Sequence, residues 1–283
     1  MSEHSTARPA PRSAEAVAAR LRAAGCVFAE EEARLLLSGG PSDAELDARV
    51  ERRAAGRPLE QVLGWAEFCG LRIAVEEGVF VPRRRTEFLV RHAAALAPPR
   101  AVTVDLCCGS GALGAAMASG AAGGFAGDAA PEVYAADIDP AAVRCARRNL
   151  AAYGGDGYAD GRRVGEGDLF TALPGELRGR VQVLLANVPY VPTDEMALLP
   201  PEAREHEARA ALDGGADGLG VLRRVAAGAP EWLAPGGVLL FETSERQAPE
   251  AVRVAERCGL APRVEQCAEL YATVVTATRR DVS

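Results

Sequence analysis

The stretch Val183-Leu184-Leu185-Ala186-Asn187-Val188-Pro189-Tyr190 decides the fold class of this 283-residue chain. Its opening apolar run is typical of a strand that is buried on both faces of a parallel sheet. Pro189 has no backbone N–H and favours an extended Val188, so the chain leaves the sheet there. The pattern therefore places Asn187 at the carboxyl end of a strand, which is where open α/β sheets bind their ligands.

Strands and helices alternate around this stretch. Upstream, residues 101–106 predict a parallel strand that runs into a glycine turn, Gly109-Ser110-Gly111, and then a helical pattern. The next predicted strand ends at Asp137 before another helical pattern, while residues 238–241 and 270–278 predict later strands. This alternation predicts an α/β domain with a mostly parallel sheet.

The residues before the sheet predict a second, smaller domain. Residues 1–12 are rich in Ser, Pro and Arg, which predicts a disordered tail. Helical patterns that begin at the capping residues Ser13 and Ser42 predict a helical domain over residues 13–65. The chain is long enough for two domains of roughly 150 residues each.

A β-hairpin is predicted between the two domains. Apolar residues alternate from Phe68 to Val75, and Glu76-Glu77-Gly78 is the candidate turn. We place this hairpin in a linker over residues 66–84 and the α/β domain over residues 85–283. Thr86 is the predicted N-cap of the first helix in that domain.

Composition excludes several classes of function. The hydrophobic content of 48% is that of a folded globular protein, and the net charge of -7 argues against broad binding to nucleic acid or anionic membranes. The chain shows no signal peptide, no Cys-X-X-Cys pair among its seven cysteines and no apolar run of about 18 residues. We therefore expect a cytoplasmic protein with reduced thiols, no membrane span, no stable nucleic-acid binding and no metal site.

The strand ends carry candidate ligand-binding residues. Glycines at positions 109 and 111 let backbone N–H groups approach a ligand, and the absence of a Gly-Lys-Ser/Thr sequence argues against a phosphate loop. Asp137 ends the next strand and suits an acid that bonds ribose hydroxyls, while Asp168 follows a third strand and suits a base-facing position. The alternative for both acids is that they are solvated residues at strand ends and bind no ligand. The alternative for the glycine turn is that it only reverses the direction of the chain.

Other polar residues near these positions are interpreted as structural or solvent-exposed. Glu242 and Gln247 are interpreted as structural, and His206 as a surface histidine. The run Arg83-Arg84-Arg85 is interpreted as a solvated face that can meet an acidic partner.

Several of these segments together resemble the HemK/PrmC family, the S-adenosylmethionine-dependent protein-(glutamine-N5) methyltransferases that modify peptide chain release factors. The resemblance is carried by residues 105–112, residues 136–140 and Asn187-Val188-Pro189-Tyr190. Leu199-Pro200-Pro201-Glu202 and residues 211–219 are its most family-specific stretches, because generic methyltransferases lack them. It extends through nearly all of the chain after the tail.

The resemblance implies a Rossmann-like, seven-stranded class I methyltransferase domain, joined by the β-hairpin to a small helical domain that docks the substrate. It implies S-adenosyl-L-methionine as methyl donor, S-adenosyl-L-homocysteine as product and a release-factor glutamine as acceptor, and we expect a monomer. By position, the cofactor-binding residues are Asp105, Cys107, Gly109, Ser110, Gly111, Asp137, Ile138, Asp168, Leu169 and Asn187. The catalytic residues are Asn187, Val188, Pro189 and Tyr190.

The predicted chemistry depends on placement of a weak nucleophile. An amide nitrogen is delocalised, so we expect the Asn187 side-chain oxygen and the Val188 carbonyl to accept its two hydrogens and aim it at the methyl group. The ring of Tyr190 is predicted to support the sulfonium by cation–π attraction. Two departures from the family pattern bear on the substrate: Val188 replaces a proline, and Arg84 and Arg85 replace a proline and an acid.

These departures leave two alternatives open. The chain can methylate another acceptor, such as a different protein, a small-molecule amide or amine, or the exocyclic amine of adenine, which poses the same hydrogen-bonding problem. It can also be a cofactor-binding docking protein without turnover. Retention of Asn187 and Tyr190 argues against the second alternative.

Overall fold

The computed structural model describes residues 13–123, 129–158 and 160–280. These residues form two compact units, of which the first ends at Gly64 and the second begins at Trp65. The predicted disordered tail, residues 1–12, lies outside the described residues.

The first unit is helical. Its described helices are α1 (Ala14–Ala23), α2 (Ala29–Leu37), α3 (Asp43–Ala54) and α4 (Leu59–Leu63). The predicted caps are confirmed, because the Ser13 hydroxyl accepts the Ala16 N–H and Ser42 forms a capping box with Glu45. Helix α4 was not predicted, since its five residues are too few to show helical periodicity.

Helix packing in this unit combines an apolar core with one buried ion pair. Leu21, Leu36 and Val50 are fully buried between the helices. Arg53 on α3 donates from Nε to Oε2 of Glu32 on α2 at 2.6 Å, and from Nη2 to Oε1 at 3.0 Å. Both side chains are buried, so this two-point contact fixes how α2 and α3 meet.

The second unit begins with an antiparallel hairpin. Strands β1 (Trp65–Phe68) and β2 (Leu71–Ala74) pair across a turn at Cys69-Gly70. The predicted turn at Glu76-Glu77-Gly78 is therefore wrong; both true turn residues have positive φ, as tight hairpins require, but Cys-Gly is a weak turn signal. The predicted linker over residues 66–84 is also corrected, because the hairpin side chains lie in the core of this unit.

The remaining strands form one large sheet. They are β3 (Val102–Leu106), β4 (Glu132–Asp137), β5 (Val164–Glu166), β6 (Val181–Ala186), β7 (Leu233–Thr243), β8 (Leu260–Cys267) and β9 (Ala272–Arg279). In the described residues, these seven strands have the order β5-β4-β3-β6-β7-β9-β8. The first five are parallel, and β9 is antiparallel to both neighbours. The predicted Rossmann-like seven-stranded fold is confirmed, although β8, whose side chains are mostly not buried, was missed.

Helices cover both faces of the sheet. They are α5 (Glu87–Leu96), α6 (Ala112–Ser119), α7 (Pro140–Tyr153), α9 (Gly220–Trp232) and α10 (Ala248–Arg257), while the short α8 (Pro201–His206) buries no residue. The four apolar residues of the deciding stretch are fully buried; Val183 and Leu185 belong to one core layer, and Leu184 and Ala186 to the other. This two-sided burial is what the unbroken apolar run predicted. None of the described helices is long and apolar enough to cross a membrane.

The helix cap predicted at Thr86 is wrong, whereas Asp139 does cap α7, since its Oδ1 accepts the Ala141 N–H at 2.8 Å. Thr86 makes no capping hydrogen bond to α5. Its hydroxyl instead donates to Oε2 of the buried Glu242 at 2.7 Å, a tertiary contact that outweighs the local preference.

Asn149 ties three elements together beneath the glycine turn. This α7 residue is 2% exposed. Its Nδ2 donates to the carbonyls of Ala74 and Ser110 at 2.9 and 2.8 Å, and its Oδ1 accepts the Ala74 N–H at 2.8 Å. The hairpin and the glycine turn are therefore held by one side chain.

We expect Asn149→Ala to lower the free energy of unfolding by about 2–4 kcal/mol, because buried backbone groups lose their partners. Urea denaturation measures the change. The matched control is Arg148→Ala at the exposed neighbouring position, which should shift stability by less than about 0.5 kcal/mol. Equal stabilities for the two variants would contradict the assigned role.

Candidate active site

The strand order places the site. Strands β3 and β6 are neighbours in the sheet although β4 and β5 lie between them in sequence, so the order reverses at this pair. Open α/β sheets bind ligands at such a switch point, outside the carboxyl ends of the strands. Leu106 pairs with Ala186, and therefore the glycine turn after β3 and Asn187 after β6 leave the same edge side by side.

A cavity of about 310 Å³ opens at this edge. Its volume is at the lower end of the range for ligand pockets, about 300–1,000 Å³. The loops after four adjacent strands contribute most of the predicted site to its walls. The predicted residues that line it are Cys107, Gly109, Ser110, Asp137, Ile138, Asp168, Leu169, Asn187 and Pro189.

Asp105 and Gly111 do not line this cavity and instead support the turn from below. Asp105 is fully buried, and its Oδ2 accepts the Gly114 N–H at 3.0 Å. Burial raises the pKa of Asp105 to about 7. Gly111 has a φ of 75°, and a Cβ there would lie 2.9 Å from Ala146 on α7. The predicted direct contact of these two residues with a cofactor is replaced by a packing role.

Asp137 is held in the cavity by backbone N–H groups. Its Oδ2 accepts from Gly109 at 2.8 Å and its Oδ1 from Asp139 at 3.0 Å. Burial raises the pKa of Asp137, and these hydrogen bonds oppose that rise. Each carboxylate oxygen keeps acceptor capacity for a ligand hydroxyl. The adjacent Ile138 is 61% exposed and gives the cavity an apolar wall.

The cavity lining also contains an ion pair that the sequence did not indicate. Asp168 Oδ2 lies 2.5 Å from Nη2 of Arg224, which belongs to α9 and also lines the cavity. Arg224 lies within an ordinary amphipathic helix, so no local signal marks it. The backbone at Cys107 and Leu169 has φ values of 55° and 50°, a conformation that is uncommon outside glycine and concentrates at functional sites.

Asn187 lies at the end of β6 with its side chain available. No hydrogen bond from another described residue reaches this side chain, so its oxygen and both N–H groups can bind a ligand. The carbonyl of Val188 likewise accepts no hydrogen bond within the described residues. Two free acceptors therefore stand next to each other in the chain, although the Val188 side chain is buried in the core.

Tyr190 lies outside the cavity lining and is anchored by two residues. Its hydroxyl hydrogen-bonds to Oε1 of Glu242 at 3.2 Å and to Nη2 of Arg85. The Arg85 guanidinium also lies 6.0 Å from the Tyr190 ring centroid. The hydroxyl therefore belongs to a hydrogen-bonded cluster, and the predicted contact of the ring with a sulfonium stays a prediction.

The predicted solvated face at Arg83-Arg84-Arg85 is incomplete, because Arg83 and Arg85 each bind a buried carboxylate, although Arg84 and Arg85 are exposed. Arg83 donates from Nη2 to both carboxylate oxygens of the buried Glu207, at 2.7 and 2.6 Å. Arg85 donates from Nε to Oε1 of Glu242 at 2.7 Å. Glu242 is the next-to-last residue of β7 and lies beside Asn187 at the sheet edge, since Ala186 pairs with Phe241. The predicted strand over residues 238–241 ended just before Glu242, which was the one available signal.

A glycine loop, residues 212–218, clamps the segment that follows Asn187. The Val191 N–H donates to the Leu212 carbonyl at 3.0 Å, and the Gly214 N–H donates to the Val191 carbonyl at 2.8 Å. Gln247 Nε2 donates to the Tyr190 carbonyl at 2.9 Å, which agrees with the structural interpretation of Gln247. The loop thus fixes where the chain goes after the candidate catalytic residues.

We expect Gly218→Ala to destabilise the protein by about 1–3 kcal/mol more than Gly215→Ala, as overpacking does. Both glycines have positive φ, but only a Cβ at Gly218 would overlap the Tyr190 carbonyl, while one at Gly215 meets nothing. The comparison of unfolding free energies therefore isolates the close approach of the loop. Equal losses would show that only the backbone conformation matters.

The described residues contain no group of three or more His, Cys, Asp or Glu side chains that could hold a metal ion. His206 lies in α8 and does not line the cavity. The polar groups of the lining include backbone N–H groups, carboxylates and the Asn187 amide, which are groups that recognise hydroxyls and amine or amide hydrogens.

Comparison with known proteins finds relatives that align with most of this chain. Models of known protein families gave no match. The release factor glutamine methyltransferase of Geobacter sulfurreducens is 38% identical over 74% of this chain and 69% of its own length. That of Cereibacter sphaeroides is 36% identical over 88% of this chain and 92% of its own length.

Two further matches bear on the acceptor and on the fold. The 4-amino-L-phenylalanine/4-methylamino-L-phenylalanine methyltransferase of Streptomyces pristinaespiralis is 36% identical over 70% of this chain and 65% of its own length. A methyltransferase structure from Pyrococcus furiosus superposes with a TM-score of 0.53 at 14% identity, over 83% of this chain and 98% of that one. The structural match shows a shared fold.

Proposed function

Because the chain belongs to the family of release factor glutamine methyltransferases, we propose that it transfers a methyl group from S-adenosylmethionine to a glutamine side chain of a peptide chain release factor. The observation that carries this proposal is Asn187, whose side-chain amide lines the switch-point cavity and has no hydrogen-bond partner among the described residues. An amide side chain offers acceptors and donors to a second amide, which is what recognition of glutamine requires.

The cavity residues fit S-adenosylmethionine. We assign Asp137 to the ribose hydroxyls, because both of its oxygens are oriented by backbone N–H groups and retain acceptor capacity. Ile138 and Leu169 provide apolar walls for adenine, with Asp168 beside them. The turn at Gly109 and Ser110 brings the backbone to the methionine end. When bound, this cofactor supplies an electrophilic methyl group on a sulfonium.

The acceptor nitrogen then depends on the two acceptors at the end of β6. The Asn187 side-chain oxygen and the Val188 carbonyl take one amide hydrogen each, which orients the nitrogen lone pair toward the methyl group. Such positioning is worth roughly 7–11 kcal/mol of the barrier in well-oriented reactions. The nitrogen loses its proton after methylation, and water is the available acceptor.

We propose that the first unit docks the acceptor protein. Val27 and Phe28, between α1 and α2, are 83% and 68% exposed. These two exposed apolar side chains, next to each other in sequence, are the feature of this unit that supports a docking surface.

We expect Asp137→Ala to weaken binding of S-adenosylmethionine by about 10–100-fold, because it removes charge-assisted hydrogen bonds to the ribose. Isothermal titration calorimetry measures the dissociation constant directly and needs no acceptor. Asp156→Ala is the control, since Asp156 is exposed and does not line the cavity. Unchanged affinity in the Asp137 variant would remove this residue from the site.

The main prediction concerns the acceptor. Radiolabelled S-adenosylmethionine should label a purified release factor from the same organism whose Gly-Gly-Gln glutamine is intact, and should not label the variant in which that glutamine is alanine. Asn187→Ala should lower kcat by about 100-fold, as loss of near-attack placement does. Its affinity for the cofactor, measured separately, shows whether the loss lies in the transfer step.

A second candidate acceptor is an aromatic amine. The relative that methylates 4-amino-L-phenylalanine is about as similar to this chain as the release factor enzymes are. An amine presents the same two hydrogens to Asn187 and Val188. The same assay with 4-amino-L-phenylalanine as the probe distinguishes the candidates, and cofactor binding without transfer to either acceptor would favour a docking protein without turnover.

A further inference from the structure

We propose that Arg85 is a positioning residue, which fixes Tyr190 by a direct hydrogen bond and by their shared acceptor Glu242, and thereby holds the acceptor-binding segment Asn187–Tyr190. This inference deepens the proposed function and rests on it for its effect on methyl transfer. It concerns a residue whose neighbouring sequence predicted only a solvated face.

The three side chains form a closed set of contacts. Arg85 Nε donates to Oε1 of Glu242 at 2.7 Å, and Arg85 Nη2 donates to the Tyr190 hydroxyl. That hydroxyl donates to the same Oε1 at 3.2 Å. The phenol is therefore satisfied both as donor and as acceptor, which leaves its ring one position in which all the contacts form.

The sheet places this cluster beside the reacting group. Ala186 pairs with Phe241 in the parallel ladder of β6 and β7, so Asn187 and Glu242 are the next residues at the same edge. Tyr190 follows Asn187 by only three residues, and Pro189 between them restricts the backbone. A displacement of the Tyr190 ring is therefore transmitted to the two acceptors.

The charge arrangement explains why an arginine is needed. Glu242 is 3% exposed, and a buried carboxylate requires a countercharge and hydrogen-bond donors. Thr86 supplies a hydroxyl donor to Oε2, while Arg85 supplies the positive charge and reaches Tyr190 with the other arm of its fork. A lysine has one ammonium in place of two separated donors, and an acid at position 85 has no donor.

The contact and its effect are tested by separate measurements. In the first, NMR follows the Tyr190 Cζ signal in protein labelled at tyrosine Cζ, assigned by its loss in Tyr190→Phe, and the side-chain amide of Asn187. Arg85→Met should shift both signals, whereas Arg84→Met, at an exposed neighbour without a described partner, should shift neither. Unchanged signals in Arg85→Met would overturn the proposal, even if no acceptor were ever methylated.

In the second measurement, kcat and KM are determined with the acceptor that the wild-type enzyme labels. Arg85→Met and Tyr190→Phe should each lower kcat about tenfold with the KM for S-adenosylmethionine unchanged, and the double variant should be no slower than either single variant. Additive losses would overturn the proposal. Failure of the wild-type enzyme to label any acceptor would instead refute the proposed function, and the NMR result would still decide the contact.

The variant Arg85→Met/Glu242→Gln distinguishes the positioning role of Arg85 from a purely structural one. It removes both charges and so avoids an unpaired buried carboxylate. If Arg85 only neutralised Glu242, this variant would recover the wild-type kcat. Under the proposal its thermal stability recovers while its kcat remains about tenfold low, because the Tyr190 hydroxyl still lacks the guanidinium.

Discussion

The parallel pairing of β3 with β6 is the constraint on which the rest of the structure depends. It aligns Leu106 with Ala186, and the glycine turn and Asn187 lie together only because of this register. Both strands are buried on both faces, so a slip of one residue would exchange the side chains of the two core layers. Because such a slip is costly, the register fixes the site geometry independently of the polar contacts. The positions of the polar groups at this edge are thus determined by the packing of the strands.

Two buried carboxylates set the geometry of the segment from residue 81 to residue 86. Glu207 accepts the Val81 N–H and both contacts from Arg83, and Glu242 accepts from Arg85 and Thr86. This segment is therefore attached at two points, to the loop after α8 and to strand β7, which are far away in sequence. In both pairs the carboxylate is buried while the arginine reaches solvent, so the pair adds little net stability, but removing the arginine leaves a buried charge and is costly. Their contribution here is the position of the backbone around the cavity.

Local patterns predicted the elements that have local causes. Three features were recognisable: the apolar run into Asn187, the glycine turn and the acid that ends β4. Strand burial and turn conformation are determined by a few consecutive residues, so the sequence shows them directly. The partners of Arg85 and Arg224 were not, since they lie 157 and 56 residues away and depend on the assembled sheet. Thr86 shows the same limit: its local preference for capping loses to a tertiary acceptor that sequence proximity does not reveal.

The two departures from the family pattern have different structural consequences. Val188 replaces a proline, yet its side chain is buried in the apolar core and its carbonyl remains free, so the acceptor pair is preserved. Arg85 replaces an acid, and its guanidinium contacts the hydroxyl of Tyr190. A change of side chain in the core adjusts packing volume, whereas a change of charge beside Tyr190 alters what holds the acceptor-binding segment. We therefore expect differences in acceptor between family members to depend more on the residue at position 85 than on the residue at position 188.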